Sequence, residues 1–237
     1  MKLGIMQPYF FPYIGYYSLI KHTDRFILLD TVQFIRHGWI ERNRILKQNG
    51  GWQYIRVPLI KKEGRSTLIR DIQINNKENW KDRIIAQLQQ YKKTAPYYRK
   101  IIELLNDIFQ TNFNDIVILN KISLEKVCCY LGINTPIDVF SELDVQLGNI
   151  SAPDEWALNI CKVIDGTDEY WNPSGGQSFF DRSKYDKVGI NLKFQLVKIT
   201  EYNQKRQNFE SGLSILDVLM FNSVTEINAM LDNYELI

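Results

Sequence analysis

The chain of 237 residues has few cysteines and histidines, the residues that disulfide frameworks and zinc sites need. It has three cysteines, Cys128, Cys129 and Cys161, and this odd number without a secretory leader does not predict a disulfide framework. It has two histidines, His22 and His37, so no His/Cys zinc spacing can be assembled. The only metal that fits the composition is Mg²⁺, held by carboxylates and by the phosphates of a ligand.

Long hydrophobic runs and an excess of one charge are also missing. No apolar run reaches the roughly 20 residues that a transmembrane helix needs, so we expect no membrane span. The start of the chain, Met1 to Pro8, has no long apolar stretch and no small-residue cleavage site, and we therefore expect a cytoplasmic protein. The 29 Lys and Arg nearly balance the 27 Asp and Glu, which is not the charge of a general nucleic-acid binder.

What is present is the composition of a folded domain, 45% hydrophobic and 24% charged. Residues 3–7 and 26–30 are short apolar runs typical of buried strands, and Tyr13 to Lys21 between them is long enough for a helix. Strand, helix and strand in this order open an α/β unit. Gln7 and Asp30 end the two runs, so we expect them together at the carboxyl edge of a sheet, where α/β proteins bind ligands.

The rest of the pattern predicts one domain over residues 1–237, with a helical insertion at about 77–131. Helices are expected at 80–91, 97–109, 114–131, 153–164, 214–221 and 224–231. Strands are expected at 52–59, 68–74, 137–140 and 192–197, and near residues 170 and 178–180. Residues 33–51 fit no period, and 61–65 is predicted to be a polar loop.

The first candidate site segment is the aromatic loop at residues 7–17, directly after the first predicted strand. In one interpretation Tyr9 and Tyr16 form a stacking wall for a flat or sugar-like ligand, and Gln7 forms hydrogen bonds with it. Gly15 would allow a backbone or a ligand to approach closely. In the other interpretation the segment is an aromatic-rich connection within the core.

The second candidate segment is 30–44, which follows the second predicted strand and is rich in arginine. Arginine offers a planar fork for phosphate or carboxylate, whereas the neighbouring Asp, Gln and Asn side chains can orient hydroxyl groups. The alternative is an ordinary solvated face. A histidine such as His37 can act as a general base, but a structural role is favoured for it. The candidates in this segment are Asp30, Gln33, Arg36, Arg42, Asn43 and Arg44.

Two further motifs have both a functional and a structural interpretation. The turn Ser174-Gly175-Gly176 can present backbone N–H groups to an anion, or it can be a hairpin turn. Ser214 is expected to cap its helix, with Asp217 reinforcing the first turn. The three cysteines are expected to be buried structural thiols on the apolar faces of helices.

Taken together, these segments resemble the WbqC-like family of bacterial proteins. The resemblance implies a role in the synthesis of bacterial surface polysaccharide (O-antigen), as a transferase that attaches glycine or another amino acid to a sugar. It covers nearly the whole chain in order. The matching residues are Gln7-Pro8-Tyr9-Phe10-Phe11-Pro12-Tyr13-Ile14-Gly15-Tyr16, Asp30-Thr31-Val32-Gln33-Phe34, Trp39, Arg42-Asn43, 52–58, Trp80, Tyr91, Ala95-Pro96-Tyr97, Leu131-Gly132-Ile133, Ile160-Cys161, Tyr170, Ser174-Gly175-Gly176, Tyr202, Gln204 and Leu213-Ser214-Ile215-Leu216-Asp217.

A more distant resemblance links the loop after the first strand to nucleotidyl-transferring enzymes with a Rossmann-like sheet, such as pantothenate synthetase. It implies ATP and Mg²⁺ as cofactors of an amide-forming ligase. In this chain Tyr13 and Tyr16 stand where those enzymes have two histidines, and Val32-Gln33-Phe34 stands where they have a Gln-Phe pair. Tyrosines cannot stabilise phosphate charge as cations, which puts that chemistry in doubt here.

The resulting hypothesis is a Rossmann-like α/β enzyme that transfers an acyl or aminoacyl group to a nucleotide-activated amino sugar. Asp30 is the candidate base. The candidate substrate-binding residues are Gln7, Tyr9, Tyr16, Gln33, Arg42, Asn43, Ser174, Gly175 and Gly176. The alternatives are the ATP-dependent ligase and a non-catalytic sugar-nucleotide binding protein. The acyl donor, the sugar and the oligomeric state are left open by the sequence.

Overall fold

The computed structural model describes residues 1–60 and 67–237, so the polar loop predicted at 61–65 lies outside the described residues. A six-stranded sheet forms the centre of the molecule. Its strands are β1 (Lys2–Met6), β2 (Arg25–Leu28), β5 (Ile137–Val139), β6 (Glu169–Pro173), β7 (Asn191–Val197) and β8 (Tyr234–Leu236), and a separate antiparallel ribbon consists of β3 (Arg42–Leu46) and β4 (Trp52–Arg56). The helices are α1 (Ile14–His22), α2 (Trp80–Leu88), α3 (Tyr98–Gln110), α4 (Ile116–Leu131), α5 (Glu155–Val163), α6 (Arg182–Asp186), α7 (Ile215–Phe221) and α8 (Val224–Leu231).

The order of the strands across the sheet is β5-β2-β1-β6-β7-β8. All neighbouring pairs are parallel except β7 and β8, which are antiparallel. The first five of these strands therefore have the order 3-2-1-4-5 when numbered along the chain, which is the order of the doubly wound Rossmann-like sheet. The predicted fold class is confirmed.

Alternating side chains of the strands enter two separate hydrophobic cores, one on each face of the sheet. Ile27 and Tyr170 belong to one core, whereas their chain neighbours Phe26 and Trp171 belong to the other, as the alternation of side chains along a strand requires. Residues of α5 and α6 pack in the smaller core, and residues of α1, α4, α7 and α8 pack in the larger one.

This two-sided arrangement creates a topological switch point between β1 and β6. After β1 the chain turns towards α1 on one face, and after β6 it turns towards α6 on the other face. The two chain segments therefore leave neighbouring strand ends towards opposite faces of the sheet. In open α/β sheets the crevice at such a switch point is the usual position of the ligand.

Two predicted strands are wrong. The segment 68–74 forms a single 3₁₀ turn at Ile69–Asp71 with isolated bridges on both sides, because its isoleucines are buried in the core without a partner strand. No strand forms at 178–180, where Phe179 is 53% exposed and only Phe180 packs in the smaller core. Strand β3 lies in the segment 33–51, where no strand was predicted. Its buried positions include the polar Asn43 and alternate with arginines, so the segment shows no apolar alternation. The short elements α6 and β8 were also not predicted.

The main helices and the strands β1, β2, β4, β5, β6 and β7 are close to their predicted positions. Gly132 ends α4 with a φ of 76°, a left-handed conformation that glycine adopts without strain. The long connection between β2 and β5 contains the ribbon and the helices α2 to α4. Within the described ranges, no helix is both long enough and apolar enough to cross a bilayer.

Candidate functional site

The carboxyl edge of the sheet brings together three of the predicted site segments. Met6 pairs with Leu28 in the register of β1 and β2, and the Leu29 amide donates to the Met6 carbonyl over 2.8 Å. Gln7 and Asp30 therefore follow neighbouring strand ends, as the sequence predicted. On the other side of β1, the strand β6 runs parallel to it and leads directly into Ser174.

The loop after β1 is fixed by hydrogen bonds to its backbone carbonyls. The Asn43 side-chain amide donates to the carbonyls of Phe10 and Phe11, each over 3.0 Å. Ser214 Oγ also donates to the Phe11 carbonyl, and Asn120 donates to Pro8. Asn43 was predicted to orient a substrate, but the structure places it 4% exposed, holding this loop in position.

The same loop contains a strained residue. Phe11 has a φ of 40°, which a residue with a bulky side chain rarely adopts. Such a conformation persists only where the surroundings over-determine it. Here the carbonyls of Phe10 and Phe11 are held by side chains from β3 and from the start of α7, and the Phe11 ring is completely buried.

The two tyrosines that were predicted to stack on a ligand differ in accessibility. Tyr16 is 1% exposed, its hydroxyl donates to the Gln7 carbonyl over 2.8 Å, and its ring contacts Phe26. Burial raises the pKa of Tyr16 well above its ordinary value, so it remains a neutral donor that supports Gln7. Tyr9 is half-buried, and its ring lies 5.7 Å from that of Tyr16. Of the two rings, Tyr9 is the one that solvent reaches.

Gly15 is required by its own chain rather than by an external ligand. A Cβ atom at this position would lie about 2.5 Å from ring atoms of Tyr13. The Tyr13 ring thus lies against the first turn of α1. Neither Tyr13 nor the buried Tyr16 supplies the cation that the two histidines supply in nucleotidyl-transferring enzymes.

Asp30, the candidate base, is buried behind an exposed serine. Its side chain is 1% exposed and accepts hydrogen bonds from the Ser141 amide over 3.0 Å and from Ser141 Oγ over 2.5 Å. Ser141 itself is exposed to solvent. This contact joins the segment after β2 to the 3₁₀ turn after β5, and it places a hydroxyl between the carboxylate and the surface.

The Ser174–Gly176 segment forms a single 3₁₀ turn that leads into α6, so it is not a hairpin turn. A Cβ atom on Gly175 would meet no atom within 4 Å, whereas one on Gly176 would lie 2.4 Å from Asn172 Oδ1. Gly176 is therefore needed for packing, and Gly175 borders open space. Gln7 at the neighbouring strand end is half-buried, and its side chain makes no hydrogen bond within residues 1–60 and 67–237.

The arginines of the second candidate segment lie on the ribbon of β3 and β4. Arg42 stacks on the Tyr54 ring at 4.1 Å and donates to the carbonyls of His37 and Gly38. The Phe10 amide donates to the Trp39 carbonyl over 2.8 Å, so the ribbon borders the loop after β1. These contacts do not connect Arg42 with the Ser174–Gly176 turn.

Arg44 has a different environment from Arg42. Its guanidinium lies over the rings of Trp39 and Trp52, at 5.4 and 5.2 Å from their centroids, and donates to the Gly212 carbonyl. The other candidates of this segment lie further along the surface. Gln33 is exposed and forms an isolated bridge with Leu68, and Arg36 and His37 are also exposed.

One polar cluster was missed by the sequence analysis. Ser214 caps α7 as predicted, but Asp217 is completely buried and accepts hydrogen bonds from Tyr91, Tyr202 and Gln204. Burial raises the pKa of Asp217, and these three donors partly oppose the rise. The sequence signal for this cluster was Asp217 itself, because an aspartate between the apolar residues of a short helix is buried with them and needs hydrogen-bond donors.

The cysteines follow the prediction in two cases of three. Cys128 and Cys161 are buried, and burial raises the pKa of Cys128 to about 12 and also raises that of Cys161. Cys129 is exposed, because it faces away from the core on α4. Within the described ranges, no group of three or more His, Cys, Asp or Glu side chains has the spacing to hold a metal ion.

Comparison with known proteins shows the family of this chain. The model of the WbqC-like protein family matches residues 7–229. Among curated proteins, the chain is similar to the "Uncharacterized protein Rv1507c" of Mycobacterium tuberculosis, with 30% identity over 223 residues that cover 93% of each chain. No solved structure gives a significant match. The chain belongs to the WbqC-like protein family.

Proposed function

We propose that this protein is an enzyme of bacterial surface-polysaccharide (O-antigen) synthesis that transfers an acyl or aminoacyl group, such as glycine, to the amino group of a nucleotide-activated amino sugar. The observation that carries the proposal is the topological switch point between β1 and β6. Gln7, whose side chain has no hydrogen-bond partner among residues 1–60 and 67–237, and Gly175, which borders open space, follow these two strand ends. Family membership over nearly the whole chain agrees with a biosynthetic role.

In the proposed reaction the amine nitrogen of the sugar attacks the carbonyl carbon of an activated donor, a thioester or an ester. The new N–C bond forms, the bond to the leaving sulfur or oxygen breaks, and the amine loses a proton. Asp30 is the proposed acceptor of that proton. Since Ser141 Oγ lies between Asp30 and the surface, the proton can reach the carboxylate through this hydroxyl. The backbone N–H groups of the Ser174–Gly176 turn would face the developing oxyanion.

Binding can be tested first, because a ligand that binds only the folded state raises the melting temperature. The panel contains sugar nucleotides, thioester donors, and ATP with Mg²⁺. A shift with amino-sugar nucleotides is expected. Release of AMP or ADP during turnover would favour an ATP-dependent ligase instead, and binding without turnover of any donor would favour a non-catalytic binding protein.

The proposed base can be tested with two variants at one contact. Asp30→Asn removes the proton acceptor and is expected to lower kcat at least about a hundredfold while binding of the sugar nucleotide is kept. Ser141→Ala keeps the carboxylate and is expected to lower kcat less. Asp107→Asn, at a surface ion pair on α3, is the matched control. Wild-type turnover in Asp30→Asn would remove this residue from the mechanism.

A further inference from the structure

The ribbon of β3 and β4 has two faces with different chemistry. In its register Arg42 is opposite Arg56, and Arg44 is opposite Tyr54. Residues that are opposite each other in an antiparallel pair project from the same face. We define the outward face of the ribbon, together with the adjoining Trp39, by the residues Trp39, Arg42, Arg44, Trp52, Tyr54 and Arg56.

This face holds positive charge that no carboxylate of the described residues neutralises. Like charges directly opposite each other on paired strands destabilise a ribbon, and Arg42 and Arg56 are such a pair. Across the described part of the chain, no carboxylate forms an ion pair with Arg42, Arg44 or Arg56. Arg56 is exposed and has no hydrogen bond or ring contact there either. An anion between the arginines would remove the repulsion.

The same face also exposes large aromatic rings. Trp39 and Trp52 are 38% and 40% exposed, and the Arg44 guanidinium contacts both rings. Residues two apart on one strand are separated by about 6.6 Å, and opposite residues are closer, so the guanidinium groups can contact adjacent phosphates. Arginine forks bind phosphate oxygens in pairs, and indole rings stack on flat bases.

We infer that the outward face of the β3–β4 ribbon binds the base and the two phosphates of a nucleoside diphosphate group. The inference rests on the proposed function in one respect: the nucleoside diphosphate is taken to be the one that carries the amino sugar. The Phe10–Trp39 backbone hydrogen bond joins the edge of this face at Trp39 to the loop after β1. A single small nucleotide suits this face better than a long nucleic acid, because the whole chain has a net charge of only +2.

The test is a titration of the full chain with UDP, GDP, dTDP and ADP, followed by tryptophan fluorescence and by calorimetry. At least one of these diphosphates is expected to bind and to quench the fluorescence, more tightly at low than at high salt. Arg56→Ala is expected to weaken that binding about tenfold or more, since hydrogen bonds to charged groups are the strong ones. Arg99→Ala, an exposed arginine on α3, is the matched control and should bind like the wild type.

The melting temperature of Arg56→Ala separates a ligand-binding role of Arg56 from a structural role. Because the Arg56 side chain has no hydrogen bond, ion pair or ring contact within residues 1–60 and 67–237 and lies opposite Arg42, its removal should leave the melting temperature of the ligand-free protein unchanged or higher. A lower melting temperature together with unchanged affinity would contradict the inference. The inference is also overturned if none of the four diphosphates binds, or if a uridine hexamer binds more tightly than UDP.

Failure of this inference is distinguishable from failure of the enzymatic proposal. If Arg56→Ala keeps full affinity while Gly175→Val, which fills the crevice, abolishes binding, the nucleotide lies in the crevice and the ribbon is not its site. If Arg56→Ala weakens binding but no donor supports acyl transfer, the ribbon site stands and the transferase proposal fails.

Discussion

The two faces of the β3–β4 ribbon differ in how their polar groups relate to the fold. On the inward side, Asn43 makes hydrogen bonds to two loop carbonyls and to the Arg44 amide. On the outward side, Arg56 faces another arginine and has no partner among the described residues. We therefore expect the inward polar group to stabilise the protein and the outward charge to destabilise it slightly. A ribbon selected only for stability would not need that outward charge.

The largest expected effect comes from breaking the inward face. Asn43→Ala would leave the Phe10 carbonyl without its side-chain donor and the Phe11 carbonyl with Ser214 Oγ alone, in a strained loop. A buried group without its hydrogen bond costs about 1–3 kcal/mol, so we expect the free energy of unfolding to fall by about 2–4 kcal/mol. Urea unfolding measures this loss.

Asn191→Ala, at the exposed start of β7, is the control and should change the free energy of unfolding by less than about 0.5 kcal/mol. Equal stability of the two variants would contradict the view that Asn43 holds the loop. It would also imply that Ser214 and Asn120 are sufficient to fix the loop after β1.

The second prediction concerns the pH dependence of the stability contributed by Asp217, the buried carboxylate that is linked to the ribbon through Tyr91. The Leu46 amide donates to the Tyr91 hydroxyl, which donates to Asp217. Because burial raises the pKa of Asp217 in the folded state, the folded protein binds more protons than the unfolded chain just above pH 4. The contribution of Asp217 to stability therefore decreases as the pH rises from about 4 through the raised pKa, by about 1.4 kcal/mol for each unit of pKa difference.

Urea unfolding of the wild type and of Asp217→Asn, measured between pH 4 and 8, isolates this contribution as the difference between the two curves. As the pH rises, the free energy of unfolding of the wild type should fall relative to that of Asp217→Asn. Tyr202→Phe removes a hydrogen bond that lowers the pKa of Asp217, so it should extend the decrease to higher pH. A difference that does not vary with pH would show that Asp217 titrates alike in both states.

The smallest expected effect comes from relieving the outward face. Arg56→Thr replaces one of two opposed charges by a residue that favours strands, and it removes no contact of the described residues. We expect the free energy of unfolding to rise by roughly 0.2–1 kcal/mol, more at low than at high salt. A destabilised variant would mean that Arg56 supports the ribbon, and the contrast between the two faces would then be lost.

The sequence predicted the central sheet well because its strands are short apolar runs with clear ends. It also predicted that Gln7 and Asp30 end neighbouring strands, since this follows from the chain order alone. It failed at β3, whose arginines hide the alternation, and at 68–74, where buried isoleucines suggest a strand that has no partner. Hydrophobicity indicates burial, but the presence of a partner strand depends on distant parts of the chain.

Side-chain roles at the candidate site were harder to predict than the fold. Asn43 and Arg42 are adjacent in the same motif, yet one is buried and the other lies on the outward face. Assigning them needs the register of the ribbon, which the sequence did not give. Arg56 was not singled out, because only its position opposite Arg42 makes it unusual.

The guanidinium of Arg44, which lies over two indole rings, has a consequence for how this surface tolerates change. Lysine would keep the positive charge at this position, but its tetrahedral ammonium has no planar face to offer to Trp39 and Trp52. It would also lose the fork that reaches the Gly212 carbonyl. At this position shape matters as much as charge, so an exchange between the two basic residues is not a mild one.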